Sequence, residues 1–303
     1  MSGATKSESA AEGELLRPEL LARLERLELV SRKIFRGRMK GERRSTRKGQ
    51  SVEFADFRSY VPGDDLRFID WNTYARLDRL FLKMFLEEED LHFYALIDAS
   101  PSMDFGAPTK LFYAKQLAAA LGFVGLVRGD RVRIETLGQP PRAPGPVLRG
   151  RQSLWRMLDY LQTIRPAEKM SLADGVKNFC IRNSGKGILV LISDLLDKQG
   201  YEAALRYLVA QQLDVYVVQI LSTEEIEPEI RGDLRLVDCE DGDAAEITVS
   251  APLLARYKKT LAAFVEGAKS FCNRRGMTYL LARNDVSVED LVTRYLGTRG
   301  LVR

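Results

Sequence analysis

The chain has 303 residues, a formal net charge of +4, 45% hydrophobic residues and 29% charged residues. That is apolar material for a large core, as one large domain or two smaller ones. One histidine (His92) and three scattered cysteines (Cys180, Cys239, Cys272) argue against histidine-based catalysis, a zinc site of His and Cys, and a disulfide framework.

The opening "MSGATKSESAAE" is small and polar with no apolar stretch of the secretory type. Residues 1–13 are expected to be disordered. The longest nearly apolar run, "QLAAALGFVGLV", is too short to cross a bilayer. A soluble, cytoplasmic protein with no membrane span is the expectation. Leucines at helical spacing in "ELLRPELLARLERLELVSRKIF" predict an amphipathic helix over about 14–35, beginning after Pro18. A basic stretch follows, Arg32 to Lys48. Then "SVEFADFRSYVPGDDLRFIDWNTYARLDRLFLKMFLEEED" mixes aromatics and charges around a Pro-Gly turn. It reads as short extended pieces without repeated βα units. Asp64, Asp65 and Asp70 lie close in sequence to Arg58, Arg67 and Arg76. Mixed signs at this spacing favour local pairing over a second acidic site, and Tyr60, Phe68 and Trp71 offer packing surface. The run Glu87 to Asp90 reads as a solvated edge.

From Leu91 the texture changes. Strand "LHFYALID", with His92 near its start, precedes helix "TKLFYAKQLAAALGFVGLVRG". Strand "DRVRIETLG" and helix "RQSLWRMLDYLQTI" follow, then helix "SLADGVKNFCIRN" and strand "GILVLISD". Helix "GYEAALRYLVAQQ" leads to strand "LDVYVVQIL", and a hairpin spans "LRLVDCEDGDAAEITV". The long helix "LLARYKKTLAAFVEGAKSFCNRRG", strand "MTYLLAR" and helix "SVEDLVTRYL" complete the pattern. Continuous apolar strands alternating with helices predict an α/β fold, a doubly wound and mostly parallel sheet covered on both faces. The expected division is 1–13 disordered, 14–90 an N-terminal helix and extended, β-containing extension, and 91–303 the α/β domain.

In open α/β sheets, ligands bind beyond the carboxyl ends of the strands. The first strand ends in "DASPSM", which delivers Asp98, Ser100 and Ser102 there; "LISD" delivers Asp194, with Asp197 close behind. Two carboxylates with neutral hydroxyls suit a hard cation such as magnesium. The same residue types also cap helices and turns. "NSGKG" at 183–187 lacks the upstream glycine of a phosphate loop and runs into a strand, so it reads as a turn.

"DASPSM" resembles the D-x-S-x-S-M pattern of von Willebrand factor A domains, the metal-ion-dependent adhesion site, and "LISD" resembles the strand end bearing its second aspartate. The upstream segment, with its "EF-D-R-Y-PGDD-R-IDW-AR-L--K-F-EE" elements, resembles the signature of the domain-of-unknown-function-58 (DUF-58) family. The resemblance runs from about residue 36 onward. It implies Asp98, Ser100 and Ser102 as ligands of Mg2+ or Mn2+, with Asp194 in the second-aspartate role. The family's threonine position falls on Met170, a poor ligand for a hard cation. Either Ser171, next to it, substitutes or the set is one ligand short. The resemblance further implies non-enzymatic, scaffold-type partner binding. An acidic residue of a protein partner would complete the metal's coordination, and a MoxR-type AAA ATPase or its client is the expected partner. Two alternatives stand beside this reading. One is a metal-dependent phosphoesterase drawing on Asp197 or Asp104 as its base. The other is nucleic-acid binding through residues 32–48, disfavoured because no recognition helix is visible and an acidic run follows.

Overall fold

The computed structural model describes residues 14–31, 53–86, 91–138, 145–167, 170–183, 186–239 and 242–302. The expected disorder of residues 1–13, the basic stretch 32–48 and the acidic run 87–90 lie outside the described residues. The chain divides into two units, one drawn from Met1–Gly37 and Leu91–Arg303 and the other from Arg38–Asp90.

In chain order the elements are α1 (Pro18–Leu24), β1 (Glu53–Ser59), α2 (Trp71–Leu77), β2 (Phe81–Leu86), β3 (His92–Asp98), α3 (Lys110–Arg128), β4 (Arg131–Leu137), β5 (Val147–Leu148), α4 (Leu154–Thr163), α5 (Leu172–Arg182), β6 (Gly187–Ser193), α6 (Glu202–Val209), β7 (Leu213–Leu221), α7 (Thr223–Ile226), β8 (Gly232–Val237), β9 (Ala244–Val249), α8 (Ala251–Arg274), β10 (Thr278–Arg283) and α9 (Val288–Asp290). The larger unit is built on a six-stranded sheet in the order β10-β7-β6-β3-β4-β5. All neighbours pair in parallel except β5, which runs antiparallel to β4. The order reverses at β3, which has β4 on one side and β6 on the other. This is the topological switch point of a doubly wound sheet, and the expected fold class is the observed one.

Strand alternation explains why the apolar runs are continuous. Phe93, Ala95, Ile97, Ile188, Val190, Ile192, Val218 and Ile220 point into one core. Tyr94, Leu96, Leu189, Leu191, Val215 and Val217 point into the other. Both faces of a parallel sheet are covered by helices, so both residue parities must be apolar. The first face receives α3 and α4; the second receives α5, α6 and α8 through Val176, Phe179, Leu205, Leu208 and Phe271. Helix α3 is the central element of its face. Thr109 accepts from Phe112 N at 3.2 Å to start it, and Gly129, at φ 82°, ends it in the left-handed conformation. Its 19 residues satisfy the length and composition of a membrane span, beyond what the shorter apolar run suggested, yet the helix is mostly buried inside the domain.

Three boundaries differ from expectation. The N-terminal helix ends at Leu24 instead of about 35: the chain straightens, and Leu29 forms an antiparallel bridge with Val302. That long-range pairing overrides the local leucine periodicity. Leu24 and Leu29 join the core against α3, so α1 belongs with the α/β unit and not with the extension. Strand β5 is two residues long in a proline-rich stretch and leaves almost no sequence signal. The last helix is a short α turn followed by a wider π-type turn over Leu291–Leu296.

In the smaller unit, β1 and β2 form an antiparallel pair. The acids of "PGDDLRFIDW" are used locally. Asp64 accepts from Arg58 Nη2 at 2.8 Å, Asp65 from Arg67 Nη2 at 2.6 Å, and Asp70 caps α2 by accepting from Asn72 N at 3.0 Å. Trp71 stacks edge-on against Tyr74 with ring centroids 6.1 Å apart. Local pairing with arginine accounts for Asp64 and Asp65; Asp70 instead serves as the helix cap, with Lys83 Nζ 3.5 Å away, and Arg76 donates to Asn72 O.

Candidate functional site

Strands β3 and β6 end side by side, and their ends bring Asp98 and Asp194 together. Asp98 is the last residue of β3, and Asp194 follows the last residue of β6. Their side chains are nearly enclosed, at 9% and 2% residue exposure. A small cavity of about 10 Å³ opens between them, lined by Asp98, Ser100, Met170, Leu172, Ser193, Asp194 and Asp197. It has room for one water- or ion-sized body.

Asp98 is held from two sides by neutral donors. Ser100 N donates to Oδ1 at 2.9 Å, and Ser193 Oγ donates to Oδ2 at 2.6 Å. Burial, and then the charge of Asp194, push the Asp98 carboxyl up to about 6; the bonds from Ser193 and Ser100 oppose this. Ser102 lies 3.0 Å from Ser100, hydroxyl to hydroxyl. The alternate spacing of Asp98, Ser100 and Ser102 therefore gathers three oxygen-bearing side chains in one loop. The chain turns sharply after Asp194: buried Leu195 adopts φ 61°, in the left-handed region, and donates its N–H to Ser193 Oγ at 2.9 Å. Such a conformation costs an L-residue on the order of 1 kcal/mol.

Asp194 has a different environment. Its Oδ2 accepts from Lys110 Nζ at 2.8 Å and its Oδ1 from Leu196 N at 3.0 Å. Lys110 is fully buried and also donates to Glu225 Oε1 at 2.6 Å. Burial works against the ammonium charge, but Asp194 and Glu225 together outweigh it and hold the Lys110 pKa above its ordinary value. Sequence reasoning did not single out Lys110, Ser193 or Glu225. A signal existed for Lys110: a lysine at the first position of a helix sits at the end where the macrodipole disfavours a cation.

The remaining candidates have structural duties. Ser171 is the N-cap of α5, accepting from Asp174 N at 3.2 Å, and is not among the residues lining the cavity; Met170 is. Asp197 accepts from Leu172 N at 2.6 Å and from Gln199 N at 2.8 Å, so both its oxygens bind backbone. Asp104 is exposed. Among the described residues no three His, Cys, Asp or Glu side chains gather as a metal-binding group. A cation here would rest on two carboxylates, hydroxyls and water. Asp98, Ser100 and Asp194 line the cavity and fit a hard cation as oxygen donors; Ser102, like Ser171, does not line it and lies beside Ser100, hydroxyl to hydroxyl, at 3.0 Å. Met170 does not fit one.

The family described as "Protein of unknown function DUF58" matches residues 56–265. The chain is 26% identical over 296 residues to "Uncharacterized protein Rv1480" of Mycobacterium tuberculosis, an alignment covering 96% of this chain and 93% of that protein. The figures are the same for "Uncharacterized protein Mb1516" of Mycobacterium bovis. Among solved structures, the chain is similar to the conserved hypothetical protein BatB from Bacteroides thetaiotaomicron. The TM-score is 0.44 at 14% identity, covering 69% of this chain and 98% of that one. It is also similar to the SpRpn10 VWA domain, with a TM-score of 0.39 at 11% identity, covering 67% and 94%.

Proposed function

This chain belongs to the DUF58 family, and from that premise we propose that it is a non-enzymatic interaction protein that grips a partner's carboxylate through a divalent cation held at the tips of β3 and β6. The observation that carries the reading is the state of Asp98. It is buried, its hydrogen-bond donors are the neutral Ser100 N and Ser193 Oγ, and it faces a cavity that a second carboxylate also lines. A buried carboxylate without a positive partner is costly. Asp98, Ser100 and Asp194 would hold Mg2+ or Mn2+, and the ion would supply an electrophilic point for an incoming acidic side chain. By the family resemblance, the partner is a MoxR-type AAA ATPase or its client.

This chain's residues prepare that point. Ser193 and Ser100 orient the Asp98 carboxylate, Leu196 N orients Asp194, and Asp197 ties the α5 start to the same loop through Leu172 N. The test is calorimetric titration with Mg2+ and Mn2+ of the wild type and Asp98→Ala, followed by ATPase capture with and without EDTA. Saturable binding lost in the variant, and capture lost with EDTA, are the expected results. Binding indifferent to Asp98→Ala would overturn the reading.

Met170→Thr is expected to tighten divalent binding by about tenfold, the order of one well-placed supporting oxygen at a metal site. Unchanged affinity in the same titration would mean that this position does not face the ion.

A further inference from the structure

We infer that two copies of this chain pair through the hairpin β8–β9 of one and the first half of α8 of the other, each contact being made twice about a two-fold axis. The surface is a different one from the Asp98 cavity, and the pairing does not require an ion there.

Strands β8 and β9 form a two-stranded sheet of their own, apart from the six-stranded one. Their residues are mostly exposed on both faces, with Leu236 at 47% and Val237 at 61%. A two-stranded hairpin by itself is marginal in water, and neither edge of this one pairs with another described strand. Helix α8 is covered towards its end, where Ala268, Phe271 and Cys272 are buried. Its first half, about 20 Å long at the helical rise, is mostly exposed and presents Leu253 and Tyr257 at its surface. Tyr257 OH donates to Glu225 O at 2.7 Å, and Asp238 accepts from Lys198 Nζ at 2.9 Å. These bonds tie helix and hairpin to the domain and leave the rest of both surfaces open.

The two surfaces carry opposite charge. Helix α8 contains no acid before Glu266, and Arg256, Lys258 and Lys259 stand in that stretch. The described part of the hairpin carries Asp233, Asp238, Asp243 and Glu246 against one base, Arg235. Ser250 alone separates β9 from α8, yet the two charge sets do not meet within one chain. Asp233 accepts from Thr248 Oγ1 at 2.7 Å, and the ion pair of α8 is Lys269 with Glu266, in its second half. Among the described residues, neither Asp233 nor Glu246 pairs with Arg256, Lys258 or Lys259. A second copy supplies both complements at once. In an isologous contact, hairpin meets helix and helix meets hairpin, whereas an unrelated partner matches one charge set and repels the other. Opposed charges set the choice of partner and the register, and Leu236, Leu253 and Tyr257 add apolar area to be buried. Lys198 follows Asp197, which lines the Asp98 cavity. Pairing would therefore brace that loop through the hairpin and present two such cavities on one assembly.

The test is sedimentation velocity of the full chain in EDTA at concentrations up to about 100 µM, which reaches weak association constants. A concentration-dependent dimer that weakens between about 0.05 M and about 0.5 M NaCl is expected for the wild type. Two charge-reversed variants are read beside it, Asp233→Lys/Glu246→Lys and Arg256→Glu/Lys258→Glu/Lys259→Glu. Each alone is expected to associate about a hundredfold more weakly, because like charges then face each other in both contacts. Their equimolar mixture is expected to recover the dimer to within about tenfold of the wild type, since each contact is again of opposite sign. If a reversed variant is recovered unfolded, Glu246→Gln and Lys258→Gln/Lys259→Gln are expected to show a smaller loss in the same direction. A wild type that stays monomeric throughout would overturn the inference and leave the surface to a different partner. So would a dimer indifferent to either variant, or a mixture that fails to associate. The Asp98 reading is tested by metal titration and fails or stands independently of these results.

Discussion

Gly187→Ala is expected to destabilise the protein by about 3 kcal/mol, the upper part of the usual range for forcing atoms into a packed interior. Gly187 opens β6, the strand between β3 and β7, and pairs with His92 across the switch point. A Cβ there would meet His92 O at 2.0 Å and His92 C at 2.9 Å. Both atoms are backbone, so no rotamer change relieves the overlap. The strands must part, at the cost of hydrogen bonds buried on both faces. The clash lies at the opposite end of the strand from Asp194, about 20 Å away at the rise of an extended chain. Denaturant unfolding should therefore show the loss of stability, while cation titration of the folded variant should show the stoichiometry of the wild type. An alanine variant as stable as the wild type would mean that the two strands approach less closely than this geometry states.

That contrast shows why some features were legible in the sequence. Strands β3, β6 and β7 announce themselves because a strand covered on both faces must be apolar at every position, and "ALI", "ILVLI" and "VYVVQIL" are nearly so. The acidic loop was legible for a related reason: Asp98, Ser100 and Ser102 interrupt such a run at its end, where an α/β sheet binds ligands. What failed to show was whatever depends on a partner distant in sequence. The end of α1 is set by Leu29 bridging to Val302. The chain between Asp70 and Asp78 forms α2 because Asp70 caps its start and Asp78 closes it at φ 49°, signals that the surrounding aromatics and charges obscured. Lys110 finds its carboxylates 84 and 115 residues further on. Ser193 looks like a minor break in a strand until its hydroxyl is seen on Asp98, 95 residues away. Residue spacing was enough to place Asp98, Ser100 and Ser102 in one loop, but not to show the lysine bonded to Asp194.

The second large effect is on the pH dependence of stability in the absence of divalent ions. The Asp98 carboxyl is raised from 3.8 to about 6, first by burial and then by Asp194. Between these values the folded protein binds a proton that the unfolded chain has released. The stabilisation from this group is therefore fully present below about pH 4 and is lost as pH rises through about 6. The span corresponds to roughly 3 kcal/mol at 1.36 kcal/mol per unit. Asp98→Asn, which carries no titrating charge, should flatten this part of the profile and be more stable than the wild type at neutral pH without metal. Divalent ions should reverse the order, because they take the place of the proton on Asp98 in the wild type and have no carboxylate to bind at that position in the variant. Urea unfolding from pH 4 to pH 8, with EDTA and with Mn2+, reads both effects. A wild-type profile that parallels Asp98→Asn under both conditions would mean that Asp98 is relieved of its charge by another route, and the cavity beside it would then need no ion.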